Sequence, residues 1–247
     1  MKLIKINKAQ SRRLFEAYMT GFSFHELSSL SNDAQAQYDY CCKWLGEPVG
    51  NGSSRCIFTL NDDIVLKLAY GDLARAGIEQ NKRECNIYER FKTPLLVRIF
   101  DHDENFTYII CENVLPISDE DFEMYLGYPY TSIYKQNSTL RRDRTIGFDK
   151  YFKNLKGADD GNLICVYDIL TYIEQKYLYK FGCYSEELEN AINSNAWFKA
   201  LRSFIKRARV YDFASKDNYG LVKRNGKPMI VLLDSGFTTR IWKKYYK

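Results

Sequence analysis

Apolar residues along this chain recur at helical spacing in some stretches and form short unbroken runs in others, and the succession of the two patterns lays out the elements. Residues 8–20 and 32–45 have the helical period. The second stretch opens at Ser31-Asn32-Asp33, side chains that cap helix N-termini, and carries Ala34, Tyr38, Cys41, Cys42 and Leu45 on one face. After the glycine-punctuated segment 46–52, the β-rich runs 55–60 and 64–69 flank Asn61-Asp62-Asp63 and predict a hairpin. Residues 74–91 return to the helical period, with Ile78, Cys85, Tyr88 and Phe91 on the apolar stripe. Two more strands are expected over 97–100 and 106–111, joined by His102-Asp103-Glu104-Asn105.

From 118 to 160 the chain is polar and Tyr-rich without a sustained period, which reads as an insertion or loop region with short helices. Amphipathic helices follow over 163–181 and 185–209, the first with Tyr167, Leu170, Ile173, Tyr177 and Phe181 on its apolar face, the second with Leu188, Ile192, Ala196, Leu201, Ile205 and Ala208. Near the end, Asn225-Gly226 lies between two apolar runs. A two-residue type I′ turn needs positive φ at both centres, which Asn and Gly tolerate, so a second hairpin is predicted. Asp212 and Asn218 introduce one of its strands, and the run 229–233 ends in Asp234-Ser235-Gly236. Strand signals cluster before residue 114 and helical periods after residue 163, which is the pattern of an α+β chain with a small antiparallel sheet and a mainly helical second part.

A chain of 247 residues suits one large domain or two closely joined lobes. Its seven cysteines show no repeated short spacing and it has only two histidines, so neither a zinc cluster nor a disulfide framework is expected, and a reducing cytoplasm fits better. The apolar run near Met1 is shorter than that of a signal peptide, and no run approaches membrane-spanning length; no membrane partner is expected. The net charge of +5 is modest. Basic clusters at Arg141-Arg142-Asp143-Arg144, Lys206-Arg207-Ala208-Arg209 and Lys243-Lys244 come without a nucleic-acid reader motif and read as solvated faces.

Three features carry candidate chemistry. Gly50-Asn51-Gly52-Ser53-Ser54 precedes the first strand of the first hairpin; glycines let backbone N–H groups approach a phosphate and the hydroxyls add donors, although the same residues also make a plain turn. Lys67 stands inside the apolar run 64–69, where a lysine must either reach solvent from an edge strand or find an anion. Glu84 borders the apolar stripe of the helix that follows, where a carboxylate is costly unless paired. Each supplies what the other needs, so an ion pair is predicted.

Taken in order, the Gly-rich hairpin, the strand lysine, the helix glutamate, the later helices, the Asp212 to Asn218 loop and Asp234-Ser235-Gly236 resemble the protein-kinase-like superfamily. The stretch Asn218-Tyr219-Gly220 is similar in style to small kinase-like proteins of bacteriophages and bacteria. The resemblance covers residues 50–236. It implies a two-lobed α+β protein-kinase-like fold: an N-terminal helical extension over 1–45, a sheet-rich lobe with the glutamate helix over 46–114, and a mainly helical lobe with the catalytic-type hairpin over 115–247. Only residues 237–247 follow Gly236, so the fold would be truncated after this motif, without an activation segment.

The resemblance implies ATP and Mg2+ as ligands. Gly50, Gly52, Ser53, Ser54 and Lys67 would meet the phosphates and Glu84 would orient Lys67. The backbone of Glu112 and Val114 would form the adenine hinge, with Cys111 as gatekeeper. Asn218 and Asp234 would hold magnesium, with Asp217 as the alternative loop ligand, and Asp212 would accept or orient the proton of the attacking hydroxyl. The chain departs from the pattern at several points, one being that no His-Arg precedes Asp212. Asp212 stands six residues before Asn218 rather than five, Ser235 replaces the phenylalanine after the metal aspartate, and Arg55 occupies the place of the third loop glycine. Two functions stay open: ATP-dependent phosphotransfer to a protein or small-molecule hydroxyl, and a pseudokinase-like protein-binding module without phosphotransfer. A basic nucleic-acid-binding protein is the third and least favoured.

Overall fold

A computed structural model describes residues 21–126, 196–208 and 216–246. The expected helices over 8–20 and 163–181, the first part of that over 185–209, the basic cluster at Arg141–Arg144 and Asp212 lie outside these residues. The described residues are α+β with two antiparallel sheets. They fall into two compact units, one of 21–90, 97–114 and 244–246, the other of 91–96, 115–126, 196–208 and 216–243.

In the first unit, helices α1 (Phe24–Ser29) and α2 (Ala34–Leu45) precede a five-stranded sheet. Its strands are β1 (Gly50–Asn51), β2 (Arg55–Asn61), β3 (Ile64–Ala69), β4 (Ile99–His102) and β5 (Tyr108–Glu112), in the order β1-β2-β3-β5-β4. Asp33, the last of the three residues expected at the opening, caps α2, which begins two residues later than expected; it accepts from the Gln35 and Ala36 backbone N–H groups at 3.0 and 2.9 Å. Strand alternation sends Cys56, Phe58, Leu60, Leu66, Leu68, Tyr108 and Ile110 into one core with Phe22, Phe24, Leu27 and Cys41. Residues 21–45, expected as an extension, are thus part of this unit's core. The short α1 escaped prediction because six residues are too few to establish a period.

Helix α3 (Ala74–Phe91) follows β3, and Gly77 sets how closely it approaches the sheet. A Cβ at Gly77 would lie 2.3 Å from the Ser54 carbonyl oxygen and 2.9 Å from Ala69 Cβ, so only glycine fits this contact. The β4–β5 connection is built on buried Asp103. Its carboxylate accepts from Thr107 Oγ1 (2.9 Å) and from the Tyr108 and Asn105 N–H groups (3.1 and 3.3 Å). That turn draws in residues 103–107 and explains why β5 begins two residues later than the apolar run predicts; β4 also begins two residues later, at Ile99.

In the second unit, β6 (Leu115–Pro116), β7 (Tyr219–Arg224) and β8 (Lys227–Leu232) form a three-stranded sheet in the order β6-β7-β8. Asn225 and Gly226 have φ of 53° and 77°, and Arg224 pairs with Lys227 across them, which is the predicted two-residue turn. Helix α4 (Asp119–Leu126) lies in the stretch expected to hold short helices. Its start is a reciprocal cap: Ser118 Oγ accepts from the Asp121 N–H at 3.0 Å and the Asp121 carboxylate accepts from the Ser118 N–H at 3.3 Å. Helices α5 (Ala196–Ala208) and α6 (Thr239–Tyr245) complete the described elements. Tyr219 is the centre of packing, with the Phe122 ring edge-on at 5.4 Å and Trp197 at 6.0 Å. The Arg224 guanidinium donates to the carbonyls of Pro94 (2.7 Å) and Leu96 (2.8 Å), tying the hairpin to the segment after α3. Among the described residues, no helix is long and apolar enough to cross a membrane.

Candidate functional site

The strongest concentration of buried charge is on the face of the first sheet shared with Ala69 and Gly77. β3 lies between β2 and β5, so Lys67 is on a central strand; the edge-strand alternative is ruled out. Lys67 pairs laterally with Ile57 and Ile109 and is 7% exposed. Its Nζ donates to Glu84 Oε2 at 3.3 Å and to Oε1 at 3.5 Å, which is the pair predicted from the sequence. Glu84 is 4% exposed. Burying such charges is tolerable because each meets its opposite at hydrogen-bonding range.

Two further residues join them that sequence reasoning missed. Arg55 Nη1 donates to Glu84 Oε1 at 3.0 Å and to Asn81 Oδ1 at 3.3 Å. Asn81 in turn donates from Nδ2 to the Phe106 carbonyl at 3.0 Å and to the Thr107 carbonyl at 3.4 Å. Gly77, Asn81 and Glu84 stand at i, i+4 and i+7 on α3, hence on one face. The available signal for Arg55 was the alternation of β2: with Cys56, Phe58 and Leu60 directed to one core, Arg55 falls on the opposite face with the Lys67 partner Ile57.

The Gly-rich segment is a hairpin. Gly50 in β1 pairs with Ile57, and the Gly52 N–H donates to the Arg55 carbonyl at 2.8 Å to close the turn. Its hydroxyls are already engaged. Ser53 Oγ bonds the Tyr246 hydroxyl at 3.2 Å, while buried Ser54 Oγ accepts from Gln80 Nε2 at 3.0 Å. Gln80 Nε2 also reaches the Tyr246 hydroxyl at 3.2 Å. Glu79 accepts from the Tyr245 hydroxyl at 2.8 Å and pairs with Lys244. The backbone N–H groups of Ser53 and Ser54 form no backbone hydrogen bond among the described residues.

At the far end of β5, the Glu112 N–H donates to the Arg98 carbonyl at 2.9 Å and the Glu112 carboxylate accepts from the Arg98 N–H at 3.2 Å. The Asn113 N–H then donates to the Asp63 carbonyl at 2.7 Å, and half-buried Val114 precedes β6. Cys111 pairs with Val65 and is fully enclosed. Burial pushes its thiol up to about 11, against the opposing pull of Lys67 and Arg55. Burial thus favours the neutral thiol at neutral pH.

In the second unit, the 3₁₀ turn Lys216–Asn218 leads into β7. The Leu233 N–H donates to the Asn218 carbonyl at 3.0 Å, one step beyond the Tyr219–Leu232 pair. This register sets Asn218 beside the segment Leu233–Asp234. Asn218 and Asp234 are half-buried, Asp217 is exposed, and Ser235 and Gly236 are buried. Asn218, Asp217 and Asp234 offer only oxygen donors, which suits a hard cation such as magnesium. Among the described residues, no group of three or more His, Cys, Asp or Glu gathers as a metal cluster. A cation here would rest on Asp234 and a loop residue, completed by ligand oxygens.

No family model, no curated protein and no solved structure matches the chain.

Proposed function

We propose that this chain binds ATP with magnesium and transfers a phosphoryl group to a hydroxyl of a protein or small molecule, within a two-lobed kinase-like fold and in the cytoplasm. The observation that carries the reading is the buried Lys67–Glu84 pair on a central strand, preceded by a glycine hairpin. Lys67 holds phosphate oxygens and Glu84 fixes the ammonium. The Ser53 and Ser54 N–H groups supply neutral donors at the hairpin turn. Asn218 and Asp234 hold magnesium; the register beside Leu233 and the partial burial favour Asn218 over exposed Asp217. Asp212 accepts or orients the proton of the attacking hydroxyl. Magnesium and nucleotide together supply the transferable group and neutralise its charge, so the protein's part is positioning and electrostatics.

A second reading, the pseudokinase-like binding module, is favoured by one specific feature. The hydroxyls of Ser53 and Ser54 are engaged by Tyr246 and Gln80. Release of labelled γ-phosphate, to water or to an acceptor, separates the two. Phosphotransfer predicts turnover by the wild type and a loss of at least about a hundredfold in Asp212→Asn with magnesium-ATP binding retained. Wild-type binding without turnover would leave the binding module.

A further inference from the structure

We propose that Arg55 is a positioning residue that acts through Glu84 on Lys67; the inference rests on the nucleotide reading above for its consequence, though not for its geometry. Glu84 Oε1 is shared, with Arg55 Nη1 at 3.0 Å and Lys67 Nζ at 3.5 Å, while Oε2 meets Lys67 at 3.3 Å. Arg55 is itself held: the same Nη1 bonds Asn81 Oδ1, and Asn81 is pinned to the backbone of the β4–β5 turn through the Phe106 and Thr107 carbonyls. Four contacts, three of them buried, therefore run from that turn through Asn81 and Arg55 to Glu84. The guanidinium is planar and its donors are fixed in direction, whereas lysine ends a flexible four-carbon stem. The carboxylate orientation is thus set from the arginine side.

A carboxylate divided between two cations holds each less strongly than it would hold one alone, because the cations repel each other while drawing on the same charge. Lys67 is placed by Glu84 without being monopolised, and an ammonium has three donors to distribute. It can then turn toward a phosphate while Arg55 keeps Glu84 in place and α3 on the sheet. The position where a third loop glycine would stand has been given to this clamp.

The test uses the full chain and two readouts. Without nucleotide, NMR follows the Lys67 Nζ and Glu84 Cδ resonances in wild type, Arg55→Met, Arg55→Lys and Asn81→Ala. Arg55→Met and Asn81→Ala should move both resonances, and Arg55→Lys should return them part of the way. With magnesium-ATP, calorimetry runs the Arg55→Met and Glu84→Gln cycle. Arg55→Met should weaken binding roughly tenfold in the wild-type background and about twofold or less beside Glu84→Gln. Unmoved resonances in folded Arg55→Met overturn the proposal. An equal loss in both backgrounds overturns it too, since it would place Arg55 on the nucleotide itself. If Arg55→Met does not fold, Asn81→Ala decides, because it removes the anchor and keeps all three charges. A wild type that binds no magnesium-ATP sinks the nucleotide reading alone, and the resonances still decide the positioning role.

Discussion

Removing Lys67 leaves Glu84 bonded to Arg55, whereas removing Glu84 leaves two buried cations without the carboxylate they share. Loss of the common partner of a buried charge cluster costs about 3–5 kcal/mol, because the desolvated charges keep their penalty and lose their compensation. Glu84→Ala should therefore lower unfolding stability by roughly 3 kcal/mol or more, and Lys67→Met by about half as much, in urea titrations of the two variants. Equal losses would mean that Arg55 does not share the carboxylate. Lys67 and Glu84 were legible in the sequence because a charge inside an apolar run or beside an apolar stripe requires a partner. Arg55 was not singled out as a charge partner: it opens the run 55–60 in the place of a third loop glycine, and only the alternation of β2 hints at its face. What buries it is Asn81 and Glu84, 26 and 29 residues away.

At the scale of elements, the contact between Gly77 and the Ser54 carbonyl decides where α3 rests and hence where Glu84, two turns further on, meets β3. Alanine would gain about 1 kcal/mol of helix propensity at this position. Its Cβ would also have to displace a backbone oxygen at 2.3 Å, and overpacking of this kind costs about 1–3 kcal/mol, with the helix forced outward. Gly77→Ala should thus be destabilising by denaturant titration and should weaken magnesium-ATP binding along with it. A more stable variant would show that α3 has room to spare. The elements that local chemistry dictates were readable in advance: the Asn225-Gly226 turn, the helix opening within Ser31-Asn32-Asp33, β3 itself. Those that long-range contacts dictate were displaced or missed. Asp103 moved the start of β5, and β6 exists because Leu115 and Pro116 find β7 more than a hundred residues later.

At the scale of the molecule, the core of the first unit is assembled from distant parts of the chain. Phe24 and Leu27 pack with Leu68 and Tyr108 in one cluster, and Lys244, Tyr245 and Tyr246 bond Glu79, Gln80 and Ser53. No local pattern announces such closure, which is why residues 21–45 read as an extension. The proposed function requires Lys67 and Asp234 alike, so loss of either should abolish magnesium-ATP binding. The most direct measurement is a thermal-shift titration of wild type, Lys67→Met and Asp234→Asn with ATP, with and without magnesium. Ligand at about a hundred times its dissociation constant stabilises by roughly 2.7 kcal/mol, which for a chain of this size is about 5–10 °C. A shift of that order is expected for the wild type only when magnesium is present, and little or none for either variant. No shift in the wild type, or the same shift in all three proteins, would contradict the proposed function.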